Sequence, residues 1–473
     1  MKHDPARRTG LTIQLPLASI LFAPAPIASI LLASILFALV PLAAILLVPT
    51  AAAQDVPATP ATSANIDALA DAIEPRVIEW RRHLHANPEL SNREFNTAAM
   101  VAEHLESLDI DVQTGVAHTG VVGLLRGAHP GPVVALRADM DALPVEERGD
   151  LPFKSTVTSE YRGEVVPVMH ACGHDTHVAM LMGAAEILAG MREELHGTVK
   201  FIFQPAEEGA PPGEEGGAEL MTKEGVMADV DVAFGLHIHA NTYVGKITYR
   251  PEGIMAAVDD FRIALTGKQA HGSTPWHGID PIVTAAQIIN NLQTIVSRSL
   301  ELTKDPAVVT VGSIHGGVRS NIIPESVEML GTIRTFDPAM REKLHARFRE
   351  IVDHTAASNG ATAEVALPYS AYYPVTYNDP DLTTQMLPTL QRTAGEDKVE
   401  LIDAITGAED FSYFAREVPG LYVFIGGKPH DVPEDVSVSH HTPDFYIDES
   451  GMKLGVRTYL NLALDYMEQA AVR

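Results

Sequence analysis

Five short clusters in this sequence carry side chains that bind metals or transfer protons. They are RADMDALP (residues 137–144), HACGHD (170–175), QPAEEG (204–209), GLHIHA (235–240) and SHHTPDF (439–445). Together they offer one thiol, several imidazoles and several carboxylates, a mixture that suits borderline divalent ions and is large enough for two ions to share. A single histidine or a pair of adjacent glutamates is more often a packed or solvated residue. Five such clusters together predict a metal-dependent catalytic site.

Cys172 is the only cysteine among 473 residues, and three histidines accompany it in MHACGHDTH. A free cysteine usually packs as a small hydrophobic side chain, so the residue alone leaves packing and metal binding open. A single cysteine also excludes an intrachain disulfide. Stability must then come from hydrophobic burial, and ~400 residues are enough for two domains with cores of their own.

The first 53 residues differ from the rest of the chain. Lys2, Arg7 and Arg8 precede a run without charged side chains from residue 11 to residue 48, which leads to TAAAQ at 50–54. A basic start, an apolar stretch and a small-residue junction are typical of a secretory signal. We therefore expect a signal peptide over 1–53, a linker over 54–66 and a periplasmic or secreted protein. An uncleaved membrane anchor is the alternative.

The chain is strongly acidic, with 34 basic and 61 acidic residues and a formal net charge of −27. Nucleic acid and anionic membrane surfaces repel such a chain. We therefore expect no nucleic-acid partner and, once the signal is cleaved, no membrane partner.

Helices and strands alternate through residue 250. The clearest segments are helices over 93–108 and 175–191 and buried strands over 132–138, 198–204 and 231–236. This alternation predicts a mostly parallel sheet covered by helices. Functional groups of such sheets gather beyond the carboxyl ends of the strands, where Asp139, the Glu207–Glu208 pair and His237 are expected to lie.

Residues 256–368 follow a different pattern. We predict strands over 257–266, 307–315, 325–336 and 361–367 and helices over 280–299 and 338–358. The order β-α-β-β-α-β is that of a ferredoxin-like unit. Because α/β character resumes over 379–470, we predict an α/β catalytic domain (67–254 and 369–473) interrupted by an inserted domain (255–368).

The motifs resemble those of the metal-dependent amidohydrolases of the aminoacylase/carboxypeptidase superfamily, peptidase family M20, subfamily D. The resemblance runs from WRRHLHANPEL (80–90) through MHACGHD and QPAEEG to GAEDFSYF (407–414) and HHTPDF (440–445). The nearest branch holds hippurate hydrolases, N-acetyl-diaminopimelate deacetylases and plant auxin-conjugate hydrolases. The resemblance implies a dinuclear-metal catalytic domain interrupted by a ferredoxin-like lid that commonly forms a homodimer.

The resemblance also implies roles for single residues. Five of them would hold two divalent ions (zinc, manganese, cobalt or nickel), namely Cys172, His174, Glu208, His237 and His441. The Cys172 thiolate would bridge the ions, and Glu207 would be the general base. His239 and His440 are alternatives for the ligand histidines beside them. Successive residues of an extended backbone point in opposite directions, so Glu207 and Glu208 are expected to face different ways.

Further roles follow from the same resemblance. Asp139 would orient a ligand histidine and raise its basicity. His271, in TGKQAHGSTPWHGIDP (266–281), would reach a neighbouring active site and stabilise an oxyanion. Asn321 and Arg334 would hold a substrate carboxylate, which a planar guanidinium suits. A surface ion pair is the alternative for Arg334. His177 is expected to face packing or solvent.

The expected function is an exported amidohydrolase that cleaves the amide bond of N-acyl amino acids. A metallo-dipeptidase or carboxypeptidase is the alternative, because the bond that it cleaves is chemically identical. A non-catalytic secreted protein that binds or captures metal belongs to a different class. That reading predicts loss of the base or of ligands, and the sequence retains Glu207 and the five ligand positions.

Overall fold

The structure is a computed structural model that describes residues 60–370 and 372–472. The predicted signal peptide and the first part of the predicted linker lie outside the described residues. The first helix begins at Pro60, so the last part of the segment 54–66 is helical. Within the described ranges, no helix combines the length and the apolarity that a membrane span requires.

Helices and strands alternate along the described chain. The α-helices are α1 (Pro60–Ala86), α2 (Phe95–Ser107), α3 (His174–Gly190), α4 (Gly217–Lys223), α5 (Pro281–Thr294), α6 (Pro338–Ser358), α7 (Pro380–Ala394), α8 (Phe411–Glu417) and α9 (Met452–Val472). The strands are β1 (Asp111–Val116), β2 (Gly120–Arg126), β3 (His129–Asp139), β4 (Thr158–Tyr161), β5 (Glu164–Pro167), β6 (His196–Gln204), β7 (Val232–Tyr243), β8 (Ile247–Tyr249), β9 (Glu252–Met255), β10 (Ala257–Thr266), β11 (Ala270–His271), β12 (Ala307–Gly316), β13 (Ile322–Ile323), β14 (Ser326–Thr335), β15 (Thr362–Ala366), β16 (Tyr372–Tyr373), β17 (Thr376–Asn378), β18 (Val399–Leu401) and β19 (Gly420–Lys428).

The largest sheet has eight strands in the order β1-β2-β6-β3-β7-β19-β8-β18. Its centre is parallel, because β3 pairs in parallel with both β6 and β7, and β7 pairs in parallel with β19. The edges include antiparallel pairs, such as β1 with β2. This confirms the predicted α/β class with a mostly parallel central sheet. The antiparallel strands β1 and β2 are absent from the prediction.

The central strands are apolar along nearly their whole length because helices cover both faces of the sheet. In β3 and β6, Val134, Leu136, Phe201 and Phe203 are fully buried. Helix α3 is apolar around its circumference, and it packs between α1, α9 and the sheet. Each large side chain buried in this way contributes roughly 1.5–3 kcal/mol to stability. This rigid core fixes the loops at the carboxyl ends of β3 and β6.

A second sheet has the order β12-β14-β10-β15, and all of its pairings are antiparallel. We call the elements β10, α5, β12, β14, α6 and β15 the inserted unit; their chain order is the predicted β-α-β-β-α-β. Burial alternates along β10, and its inner residues pack with those of α5 and α6 in a separate hydrophobic cluster. Asp280 and Asp337 cap α5 and α6, each followed by a proline at the first helical position. The bounds of the predicted domains stay predictions.

The chain crosses between the large sheet and the inserted unit twice, each time through short strands. On the way out, β9 leads into β10; on the way back, β16 leads into β17. Strand β16 pairs with the start of β10, and β17 pairs with β9. The two crossings therefore run side by side, and backbone hydrogen bonds connect them.

Candidate metal centre

A cavity of about 370 Å³ is lined by the turn after β6, the HACGHD loop and residues of strands β7 and β19. Seven residues of the five motifs bring polar atoms to it: Cys172, Glu207, Glu208, His237, His239, His440 and His441. Apolar walls come from Met255, Ile405 and Phe424. His237 belongs to β7, which continues to Tyr243, so it lies within the strand rather than beyond its end as predicted. The pairing of β7 with β19 explains the longer strand.

A glycine turn positions the two ligand candidates of HACGHD. Gly173 has φ of +100°, a left-handed backbone that glycine adopts without strain. A Cβ at this position would also lie 2.4 Å from Cγ2 of Ile238, so a larger residue would clash. The turn ends at His174, which begins α3, and leaves the Cys172 thiol on the wall of the cavity.

The Cys172 thiol lies between two imidazoles. Its Sγ is 3.3 Å from Nε2 of His237 and 3.3 Å from Nε2 of His441. Burial and the nearby carboxylates of Glu208 and Glu207 raise the pKa of the thiol well above its ordinary value. The protein alone therefore keeps this thiol neutral, and a bound cation is what would stabilise the thiolate.

His174 directs one ring nitrogen at the carboxylates. Its Nδ1 donates to the carbonyl oxygen of Asp141 at 2.9 Å, which leaves Nε2 for a ligand. Nε2 lies 3.7 Å from Oε2 of Glu207 and 3.9 Å from Oε1 of Glu208. Burial lowers the pKa of His174, but Asp139, Asp141 and Glu208 outweigh it and raise the pKa to about 10. The surroundings of His174 thus favour positive charge.

The two glutamates of QPAEEG lie in a turn, and both carboxylates approach His174. Ala206, directly before them, has φ of +52°. The backbone N–H groups of Glu207 and Glu208 donate to Oδ1 and Oδ2 of Asp141, at 3.0 Å each. The prediction that the side chains face different ways is wrong, because it assumed an extended backbone. Burial and Glu409 raise the pKa of Glu207 well above its usual range.

Asp139 was predicted to orient a ligand histidine, but it hydrogen-bonds to His177, which is outside the predicted ligand set. Its Oδ1 accepts from Nδ1 of His177 at 2.6 Å, whereas Nε2 of His174 is 3.7 Å from Oδ2. His177 is fully buried, and its Nε2 accepts the N–H of Ile238 at 2.8 Å. Asp141, not Asp139, hydrogen-bonds to His174, so Asp139 does not have the predicted partner. The motif RADMD contains a second carboxylate, Asp141, two residues after Asp139, and this is the feature of the sequence that could have indicated the partner of His174.

The two histidines of SHHTPDF, His440 and His441, differ in their hydrogen-bond partners. Nε2 of His440 accepts the N–H of Ala240 at 3.1 Å, and its Nδ1 lies 3.2 Å from the carbonyl oxygen of Cys172. Both ring nitrogens of His440 thus have backbone partners, although its Nδ1 is also 3.7 Å from Sγ of Cys172, and Cys172, His237 and His440 offer ligand atoms within 4.8 Å of one another. His441 instead places Nε2 3.1 Å from Oε1 of Glu208. This geometry favours His441 over His440 as a ligand. His239 lines the cavity, and its Nδ1 is 2.9 Å from the hydroxyl of Thr242.

A buried arginine beneath the cavity was not predicted. Arg137 contacts Oδ2 of Asp139 at 2.7 Å, Oε1 of Glu409 at 2.8 Å and Oδ1 of Asp410 at 3.0 Å. Its side chain is about 1% exposed, so the guanidinium pairs with three carboxylates out of solvent. Glu409 also lines the cavity. RADMD and GAEDF contain these residues, but neither motif indicates that they meet.

Five predicted site residues do not line the cavity: Asp139 and His174, described above, and three in the segment 255–368. His271 is exposed on β11, where its Nδ1 accepts the N–H of Ser273 at 3.1 Å. Asn321 is exposed beside β13, which pairs with β11. Arg334 donates to the hydroxyl of Thr332 and, at 3.1 Å, to the carbonyl oxygen of Ile333. Burial lowers the pKa of Arg334, while the carboxylates of Asp260 and Asp259 act in the opposite direction.

The residues of this centre fit divalent cations. Nε2 of His174 and Oε1 of Glu208 are buried without a hydrogen-bond partner among the described residues, although Nε2 of His441 is close to the latter. Cys172, Glu208 and His441 offer ligand atoms within 4.8 Å of one another, as do His174, Glu207 and Glu208. Thiolate, imidazole and carboxylate are ligands of zinc and related ions. The shared residues suit two neighbouring ions.

Comparison with known proteins decides the family. The model of peptidase family M20/M25/M40 matches residues 135–465. The chain belongs to peptidase family M20/M25/M40. Thermostable carboxypeptidase 2 of Saccharolobus solfataricus is 42% identical over 395 residues, which are 83% of this chain and 96% of that protein. N-acetyl-L-cysteine deacetylase of Bacillus subtilis is 37% identical over 80% of this chain and 85% of its own.

A solved member of the M20 family has the same fold. The YXEP protein of Bacillus subtilis, described as a dinuclear metal binding peptidase, superposes with a TM-score of 0.69 at 34% identity. The match covers 84% of this chain and 99% of that structure. The predicted family is thus confirmed, and the protein is a metal-dependent hydrolase of amide bonds.

Proposed function

We propose that the protein is an exported amidohydrolase that removes the acyl group from N-acyl amino acids with the help of two divalent ions. The observation that carries the proposal is the pair Glu207 and Glu208 in one turn, which line the cavity with Cys172 and place carboxylate oxygens 3.7 and 3.9 Å from Nε2 of His174. The similarity to an N-acetyl-L-cysteine deacetylase supports the substrate class.

Cys172, His174, Glu208, His237 and His441 would hold the two ions. When bound, such ions polarise a scissile carbonyl and make water more acidic. Glu207 accepts the proton of the attacking water at its carboxylate and delivers it to the amine nitrogen as the C–N bond breaks. Asp141 holds the backbone of both glutamates and the ring of His174, so base and ligand keep a fixed spacing.

The roles of His271, Asn321 and Arg334 require a second copy of the chain. All three lie outside the cavity of their own chain. We propose a homodimer through the inserted unit in which His271 stabilises the oxyanion, while Asn321 and Arg334 hold the substrate carboxylate. No lysine or arginine is among the described residues that line the cavity, so within one chain a substrate carboxylate would have only the proposed metal ions as cations there.

A carboxypeptidase or dipeptidase activity is the second candidate. The similarity to thermostable carboxypeptidase 2, at 42% identity, favours it. The same base and ions would act, because the scissile bond is again an amide. The two candidates differ in the acyl group on the carbonyl side of the scissile amide, which the apolar walls Met255, Ile405 and Phe424 would contact.

A substrate panel tests both candidates. Metal-free protein is assayed with N-acetyl, N-benzoyl and longer N-acyl amino acids and with dipeptides, after addition of manganese, zinc, cobalt or nickel. We expect the highest kcat/KM for an N-acyl amino acid and no turnover without metal. Preference for dipeptides would establish the second candidate, and full turnover by metal-free protein would contradict both.

Export is tested separately from catalysis. Mass spectrometry of the protein from fractionated native cells should find a mature amino terminus near Gln54 in the periplasmic or secreted fraction. The reason is the small-residue junction TAAAQ at 50–54. An intact Met1 in the cytosolic fraction would contradict export, and an intact Met1 in the membrane fraction would establish the anchor.

A further inference from the structure

Tyr373 joins the inserted unit to the catalytic turn. Its backbone belongs to β16, the strand of the returning crossing, where it pairs with Val258 at the start of β10. Its hydroxyl donates to the carbonyl oxygen of Glu207 at 2.7 Å. The same side chain lines the cavity beside Glu207. One residue thus contacts both the strand that enters the inserted unit and the residue proposed as the general base.

Side chains of other segments hold the turn that carries Glu207. Glu94 accepts the N–H of Ala206 at 2.9 Å, and Asp141 accepts the N–H groups of Glu207 and Glu208. These carboxylates accept hydrogen bonds from the backbone N–H groups of the turn, whereas the phenol of Tyr373 donates to the carbonyl oxygen of Glu207. Because Ala206 has a positive φ, the turn depends on such outside contacts to keep its geometry.

The phenol is suited to act as a permanent donor. Burial, with Asp410 and Glu207 nearby, raises the pKa of Tyr373 well above its ordinary value, so the hydroxyl keeps its proton. The neighbouring Tyr372 anchors the same strand in another way. Its hydroxyl lies 3.0 Å from Oε1 of Glu219, and its carbonyl oxygen accepts from the hydroxyl of Tyr413 at 3.1 Å. Tyr372 does not line the cavity.

We propose that Tyr373 is a positioning residue that fixes the peptide carbonyl of Glu207 and makes the placement of the base depend on the orientation of the inserted unit. The inference rests on the proposed function, since it assigns the base role to Glu207. Tyr373 acts through Glu207 and not on the substrate. A rotation of the inserted unit that pulls on β16 would withdraw the phenol and release the turn.

Tyr373→Phe tests the proposal, because it removes the hydroxyl and keeps the ring. A buried carbonyl that loses its donor costs about 1–3 kcal/mol, so we expect kcat to fall by about tenfold, with KM within twofold and metal content unchanged. Tyr372→Phe is the matched control and should keep kcat within twofold. In the Glu207→Gln background, Tyr373→Phe should cause no further loss of the residual rate.

Three kinetic results would overturn the proposal: an unchanged kcat, a rise in KM alone, or losses that multiply with Glu207→Gln. A measurement without substrate separates this inference from the proposed function. Hydrogen exchange of the peptide that covers 205–210 should be faster in Tyr373→Phe than in wild type, and unchanged in Tyr372→Phe. Unchanged exchange in both variants would contradict the positioning role, even if no tested compound is hydrolysed.

Discussion

The turn after β6 and the loops of the inserted unit place their polar side chains in opposite surroundings. Glu207 is buried at the turn, and its neighbours hold it through backbone hydrogen bonds. His271 is exposed on the short strand β11 and Asn321 is exposed beside β13, and their polar groups have local partners or face solvent. Both regions carry motifs of the same family, yet these two residues do not line the cavity that Glu207 lines.

A parallel sheet brings the loops that form a catalytic site together at one edge. Strands β3 and β6 are neighbours in register, with Asp139 opposite Gln204, so the loops that follow them meet at one edge. The antiparallel sheet of the inserted unit gathers no such set of loop ends, and its motifs lie on an outer surface. The first region brings its polar side chains together within one chain, and the homodimer that we propose would bring the second region to an active site.

Among the variants that test this difference between the two regions, Glu207→Gln is expected to lower kcat the most. The amide keeps the shape of the side chain but cannot accept a proton, and a general base contributes typically ~10²–10⁴-fold to the rate. We expect kcat to fall by that amount while the fold is kept. Glu409→Gln, a matched change of another cavity carboxylate, should cost less. A Glu207→Gln variant with nearly normal turnover would show that the base is elsewhere.

The turn illustrates what the sequence could and could not predict. The order of elements in the inserted unit followed from periodicity alone, and α6 and β10 have the predicted bounds. The family match brought together Cys172, His174, Glu207 and Glu208. The direction of Glu207 did not follow, because it depends on the positive φ of Ala206 and on bonds to Asp141. The partner of Asp139 did not follow either, since only the fold brings His177 to it.

Asp141→Asn is expected to have the next largest effect. This carboxylate binds the backbone of both glutamates and lies beside His174. Loss of a partner that orients metal ligands typically costs ~10–100-fold in metal affinity or activity. Titration of the metal-free variant with zinc or manganese should show weakened binding. Asp111→Asn, the same change in the exposed pair with Arg126, is the control, and equal affinity of all three proteins would contradict the role of Asp141.

The variants His271→Ala and Arg334→Ala test whether residues outside the cavity contribute to catalysis. If a second copy supplies these residues, His271→Ala lowers kcat and Arg334→Ala raises KM for substrates with a free α-carboxylate, each by roughly tenfold, the size of one charge-assisted hydrogen bond. Metal content should not change in either variant. His277→Ala, an exposed histidine of the same segment, is the control. Mixing the variants Glu207→Gln and His271→Ala should raise the activity above that of either variant alone if dimers exchange subunits. Variants His271→Ala and Arg334→Ala that behave as wild type would leave the inserted unit without a catalytic role.

The most direct test of the account is the metal content of wild type, Glu207→Gln and Glu208→Gln, measured by elemental mass spectrometry after identical purification. The two carboxylates are adjacent and face the same histidine, yet only Glu208 contacts His441, and only Glu208 is assigned to an ion. The account predicts about two ions per chain in wild type and in Glu207→Gln, the number that two-metal hydrolytic sites hold, and clearly fewer in Glu208→Gln. Loss of metal from Glu207→Gln together with full retention in Glu208→Gln would contradict it.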